Sequence, residues 1–172
     1  MQSQPTSEER ERFAEAVKAH SSAMFRCARA LLGSDADAED AVSEAVLKAW
    51  QAWGNLRKPK AVKTWLLKIA VNCAYEQLRK NCRMLYTEDL IPYEQAEEAQ
   101  EPVYDLWCAV ERLEEHQRTV VVLFYYEECT IREIAQVLEV SQGTVKSRLS
   151  RAREKLKQML REEGDCSEQG VG

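Results

Sequence analysis

The sequence predicts an all-α fold of two small helical modules joined by an acidic flexible linker, the second containing a helix-turn-helix. Three observations predict it. Apolar residues recur at helical spacing through most of the 172 residues, and strand alternation is absent. Charge comes in blocks that part the chain in two. The run from Thr130 to Arg153 holds two short amphipathic segments around a tight turn.

The first module is expected over residues 8–84. Phe13, Ala16, Val17, Met24, Phe25, Ala28, Leu31 and Leu32 fit one long helix that Gly33 ends. Ser34 or Asp35 caps the next helix, whose apolar stripe is Ala38, Ala41, Val42, Ala45, Val46, Ala49, Trp50 and Trp53, up to Gly54-Asn55. Pro59 opens a third helix carrying Val62, Trp65, Leu66, Ile69, Ala70 and Cys73 inward, with Lys63, Lys68, Asn72 and Arg79 on its other face. Pro92, Pro102 and the run Glu94 to Glu101 mark the linker, placed at 85–103.

The second module is expected over 104–162, followed by an acidic tail at 163–172. Leu106 to Tyr126 forms one or two helices, with Val110, Leu113, Val120, Val121 and Phe124 inward. Ile131, Ile134, Ala135 and Leu138 then fall at i, i+3, i+4 and i+7. Ser141 is a good N-cap for the following helix, with Val145, Leu149, Ala152, Leu156 and Leu160 on one stripe and basic residues mostly elsewhere. A basic second helix of this kind suits a phosphate-lined major groove.

The net charge of −5 hides this organisation. Asp35 to Trp53 carries five acids against Lys48; Gly54 to Arg83 carries eight bases against Glu76; the charges of Met84 to Asp105 are all acidic; Thr130 to Arg161 is basic again. Two basic modules with an acidic spacer suit a protein that touches nucleic acid at two places. No apolar run approaches the roughly 20 residues of a membrane helix, and the N-terminus has no signal-peptide pattern, so a cytoplasmic protein without membrane insertion is expected. The six cysteines are scattered, which argues against a metal site or a disulfide framework, and Cys27, Cys73, Cys108 and Cys129 read as small core residues. His20 and His116 stand alone, and no catalytic constellation or Gly-rich phosphate loop can be assembled. No enzyme, cofactor or metal is expected.

Three stretches together resemble the extracytoplasmic-function (ECF) group of the bacterial RNA polymerase sigma factor family. Asp37 to Trp50 resembles its polymerase-binding helix, Trp65 to Arg79 the helix that reads the melted promoter element, and Gly143 to Arg153 the recognition helix for the upstream element. The order and the acidic spacer match as well, so the resemblance runs from about Phe13 to Leu160. It implies a dissociable specificity subunit that binds core RNA polymerase at its clamp and flap regions and promoter DNA, often in stress responses. It also implies an anti-sigma factor as a further partner, membrane-anchored in many members. A stand-alone helix-turn-helix regulator is the alternative.

On this resemblance the polymerase contacts are Asp37, Asp40, Ser43, Glu44 and Lys48, of which Asp40, Glu44 and Lys48 make an i, i+4, i+8 ridge. The melted element falls to Leu56, Arg57, Lys60, Lys63, Lys68, Asn72 and Arg79: cations for phosphate, a loop to wall a pocket, and an amide that reads a base edge. The upstream duplex falls to Gln142, Thr144, Lys146, Ser147, Arg148 and Arg151. The chain departs from the family pattern at Ser43, where Gln is usual, at Val46, where an aromatic is common, and at Glu139, where the turn usually has Gly. A non-glycine residue in the left-handed conformation costs about 1–2 kcal/mol, so the turn is expected to survive.

Overall fold

The computed structural model describes residues 6–56, 61–87 and 106–168. The first module is three helices: α1 (Ser7–Leu32), α2 (Asp35–Ala52) with a 3-10 turn at Trp53–Asn55, and α3 (Val62–Thr87). Local chemistry sets their ends. Thr6 and Glu9 form a capping box, each bonding the other's backbone N–H and so satisfying two amides with no partner inside α1. Gly33 closes α1 at φ 70, a left-handed conformation that costs glycine little, and its N–H bonds the carbonyl of Arg29. The cap of α2 is Ser34, whose hydroxyl accepts from the Asp37 amide at 3.4 Å. The expected opening of α3 at Pro59 lies outside the described residues.

The second module comprises α4 (Leu106–Glu111), α5 (Glu115–Val121), a π-helical turn at Val122–Tyr126, α6 (Ile131–Leu138) and α7 (Gln142–Glu168). Thr130 and Glu133 form a second capping box at α6. Glu139 takes the left-handed conformation at φ 55, ψ 41, as the helix-turn-helix turn requires. Ser141 caps α7, accepting from the Thr144 amide at 3.1 Å. Two boundaries differ from expectation: α3 runs to Thr87, and α7 continues to Glu168 through the first part of the expected tail.

The modules pack on each other around one continuous apolar core. Helix α3 lies against α1 and α2 on one side and α6 on another, and α5 rests on α1. This explains why Leu67, Val71 and Ala74 are buried beside the expected Leu66, Ala70 and Cys73. A helix packed on two sides buries more than one stripe. Val120 to Leu123 are four successive buried residues for the same reason, lying between α1 and α7. Leu160 differs in the other direction: it extends the α7 stripe in sequence but is 45% exposed, beyond the reach of the core. Cys27, Cys73 and Cys129 are buried as expected, whereas Cys108 is exposed. Burial pushes the Cys27 and Cys73 thiols up and raises Cys129 to about 11, which leaves little reactive thiolate at neutral pH.

Candidate nucleic-acid and polymerase interfaces

On α2, the ridge is half free. Asp40 and Ser43 are exposed. Ser43 turns its hydroxyl back to the carbonyl of Glu39 at 2.9 Å, one turn earlier on the same helix. Lys48 is committed elsewhere, meeting Glu44 at 3.1 Å and Glu76 of α3 at 2.7 Å. These two hydrogen bonds, Glu76 first, hold its ammonium well above the ordinary lysine range, and the bond to Lys48 lowers Glu76 in turn. Lys48 therefore braces α2 against α3, and the outward charge of the ridge is acidic. Asp37 also faces α3, accepting from the Asn81 side-chain amide at 3.2 Å.

On α3, Asn72 and Arg79 are exposed. Arg79 is steadied by a 3.3 Å bond to the Tyr75 carbonyl. Lys63 and Lys68 are not free: Lys63 donates to the backbone carbonyl of Glu127 at 2.5 Å and Lys68 pairs with Glu139 at 3.0 Å. Leu56 is half-buried at the end of the 3-10 turn, where its N–H bonds Trp53, while Arg57 and Lys60 lie outside the described residues.

At the start of α7, Gln142, Lys146, Ser147 and Arg151 are exposed together, where unpaired helix amides and basic side chains suit phosphate. Thr144 shares a 2.9 Å hydroxyl contact with Ser141. Arg148 is half-buried and looks toward α3: burial raises the Tyr75 phenol above its ordinary value, and the charge of Arg148 opposes that rise. Arg153 serves the module itself, donating to the Tyr125 hydroxyl at 2.8 Å and lying over the Phe124 ring at 5.6 Å.

Comparison with known proteins decides what carries these faces. Residues 16–84 match Sigma-70 region 2 and residues 104–156 match Sigma-70, region 4. Over 150 residues the chain is 33% identical to the ECF RNA polymerase sigma factor SigM of Mycobacterium tuberculosis, covering 86% of this chain and 76% of SigM. The chain belongs to the ECF sigma factors. This sigma factor is also 29% identical over 167 residues to SigW of Bacillus subtilis, covering 87% and 89% of the two chains. Its fold is similar to that of the sigma factor RpoE from Bartonella quintana, solved in complex with the anti-sigma factor NepR, at a TM-score of 0.73 and 26% identity over 88% and 98% of the two chains. The protein thus directs promoter-specific transcription by RNA polymerase, and sigma factors of this family are initiation factors rather than enzymes.

Sequence reasoning missed the most deeply placed charge among the described residues. Glu127, in the turn before α6, is 3% exposed and accepts from Arg26 of α1 at 2.6 Å, with Lys63 of α3 4.0 Å from the same carboxylate. That hydrogen bond is the chief reason the Arg26 guanidinium is raised above its ordinary value. His20 lies in the same neighbourhood; burial, helped by Lys63, pushes its imidazole below the ordinary value. A glutamate beside Glu128 in an acidic turn reads as solvated surface, and only the packing of α1 and α3 on that turn gives Glu127 its place. Arg118 was missed too. It reaches the Ala30 carbonyl, one of the last four of α1, and bonds the Glu111 carbonyl at 2.7 Å.

Among the described residues no helix is long and apolar enough to cross a membrane. A groove on the second module, about 680 Å³, is lined by Leu106, Val110, Tyr126, Leu156 and Leu160 together with Arg153 and Lys157. Its apolar floor explains where the exposed Leu106, Tyr126 and Leu160 gather.

Proposed function

We propose that this sigma factor reads its promoter with two separate heads and holds core polymerase with further faces. Asn72 and Arg79 of α3 take a base and the backbone of the melted strand, Leu56, Arg57 and Lys60 serve the same element, and Lys63 and Lys68 are added once they are released. Gln142, Thr144, Lys146, Ser147 and Arg151 take the upstream duplex, and Arg148 joins them only if it leaves α3. The acidic ridge of Asp40, Ser43 and Glu44 docks on the polymerase clamp, with Asp37 and Lys48 bracing it against α3. The apolar groove of the second module receives the flap region. The observation that carries this reading is the exposure of Asn72 on α3 and of Lys146, Ser147 and Arg151 on α7, in two different modules.

Strand opening without ATP needs a protein that captures bases as they leave the stack, and a side-chain amide with both donor and acceptor is suited to that. Intact duplex needs only groove and phosphate contacts, which a basic helix start supplies. An anti-sigma partner belongs to the same reading, supported by the likeness to a sigma factor solved with NepR. So does a cytoplasmic place, where core polymerase works, and a non-enzymatic role.

Run-off transcription tests the proposal. Purified core polymerase should start at discrete promoters only when this protein is added. A protein that added nothing to core polymerase, yet altered transcription by an already complete holoenzyme, would be a stand-alone regulator instead.

A further inference from the structure

Among the described residues, the large apolar side chains left exposed fall on two faces. Leu106, Tyr125, Tyr126 and Leu160 line the groove of the second module. The other is Leu47, 58% exposed on the outer stripe of α2, four residues after Ser43 and seven after Asp40. The charges on the two faces are opposite. Along the Leu47 face Glu39 and Asp40 are exposed carboxylates, while Glu44 is shared with Lys48. Along the groove Arg153, Lys157 and Arg161 stand at i, i+4 and i+8 of α7, all exposed. We propose that the groove of one copy of this chain receives α2 of a second copy, with Leu47 on its apolar floor and the acidic ridge against the three cations.

A helix laid in an apolar groove is held by a few anchors on one stripe, and flanking charges set its direction and reject wrong partners. Leu47 is the anchor. Arg153 already donates to the Tyr125 hydroxyl, but a guanidinium has five donors, so it can bond a carboxylate as well. Both faces are open in the same molecule, so neither covers the other within one chain, and a second copy offers each its complement. The two faces differ, so the contact is heterologous: it grows into a ring or an open chain rather than stopping at a symmetric pair. One helix in one groove makes a small interface, which holds only at high protein concentration. The acidic ridge and the groove are also the faces assigned above to polymerase. On that reading an associated copy cannot engage polymerase, and core polymerase disperses the assembly.

Analytical ultracentrifugation of the full-length chain tests this, with a thiol reductant present so that exposed cysteines form no cross-links. Between roughly 1 and 300 μM the average mass should climb at low salt, and at about 0.5 M salt it should fall back toward the monomer. Leu47→Ala should weaken association about tenfold. Asp40→Lys and Lys157→Glu should each abolish it alone, and an equimolar mixture of the two should restore it, because the reversed ridge of one then meets the reversed groove of the other. A chain that stays monomeric throughout while still binding core polymerase would overturn the self-contact and leave the polymerase reading intact. Association that Leu47→Ala and both charge variants leave unchanged would overturn it too. Adding core polymerase to the assembly tests the shared faces. Dispersal into one-to-one complexes is expected, and an assembly that bound core polymerase whole would overturn the reading of these faces as the polymerase's while the self-contact stood.

Discussion

Thr130 shows how much one residue does in this molecule. Its hydroxyl accepts from the Glu133 amide at 3.2 Å, and the Glu133 carboxylate returns to the Thr130 backbone N–H and hydroxyl, each at 2.8 Å. These bonds, the backbone one foremost, hold the Glu133 carboxyl below its ordinary value of 4.5. Thr130→Ala should cost about 1 kcal/mol, which lowers Tm by about 2–4 °C in a protein of this size. A carboxyl lowered by folding stabilises the fold above its unfolded value and ceases to as pH falls through the folded one. The Tm gap between wild type and variant should therefore narrow below about pH 4.5, as differential scanning fluorimetry across pH would show. Caps such as Ser34 and Ser141 are legible because a hydroxyl and the amide it satisfies are neighbours in the chain. Glu127 is not legible, because its partners Arg26 and Lys63 are distant in sequence and meet it only through packing.

At the scale of elements, periodicity gave the helices but not every face of them. The ends of α1 and α2 follow from Gly33 and Ser34, and the bounds of α6 from Thr130 and Glu139. The second buried side of α3 was hidden, since a single stripe is all that one helix's own pattern reveals. The π-helical turn at Val122–Tyr126 was hidden for a related reason: an extra residue in a turn leaves no mark on composition. Opposite outcomes at two leucines check this account. Leu67→Ala, at a fully buried position, should cost about 2–5 kcal/mol through the cavity it leaves. Leu160→Ala, at an exposed position lining the groove, should shift stability by no more than about 0.5 kcal/mol. Chemical denaturation of the two variants reads both values, and a large loss at Leu160 would contradict the placement of the outer part of α7.

For the whole molecule, the candidate site residues were legible as residue types on helix faces, while their availability was not. Lys63 and Lys68 carry the right chemistry for phosphate, but their present partners come from the other module. The spacer, residues 88–105, is about 18 residues and reaches at most about 60 Å when extended. That is nearly two turns of duplex at about 34 Å each, enough to set the two heads on separate promoter elements. Deleting eight residues within Glu94–Glu101 should therefore abolish run-off transcription while polymerase binding survives, and normal initiation by the shortened chain would refute the two-point reading. The division of labour itself is tested most directly by permanganate footprinting of unpaired thymines, on duplex and pre-melted bubble templates, with core polymerase present. Asn72→Ala should form the closed complex almost normally and lose strand opening, because a base contact of about 1–3 kcal/mol falls on the melting step. The bubble should restore most of its signal. Lys146→Ala with Arg151→Ala should weaken the closed complex, and the bubble should leave that defect in place. Equal defects in both variants on both templates would contradict the assignment of α3 to the melted strand and α7 to the duplex.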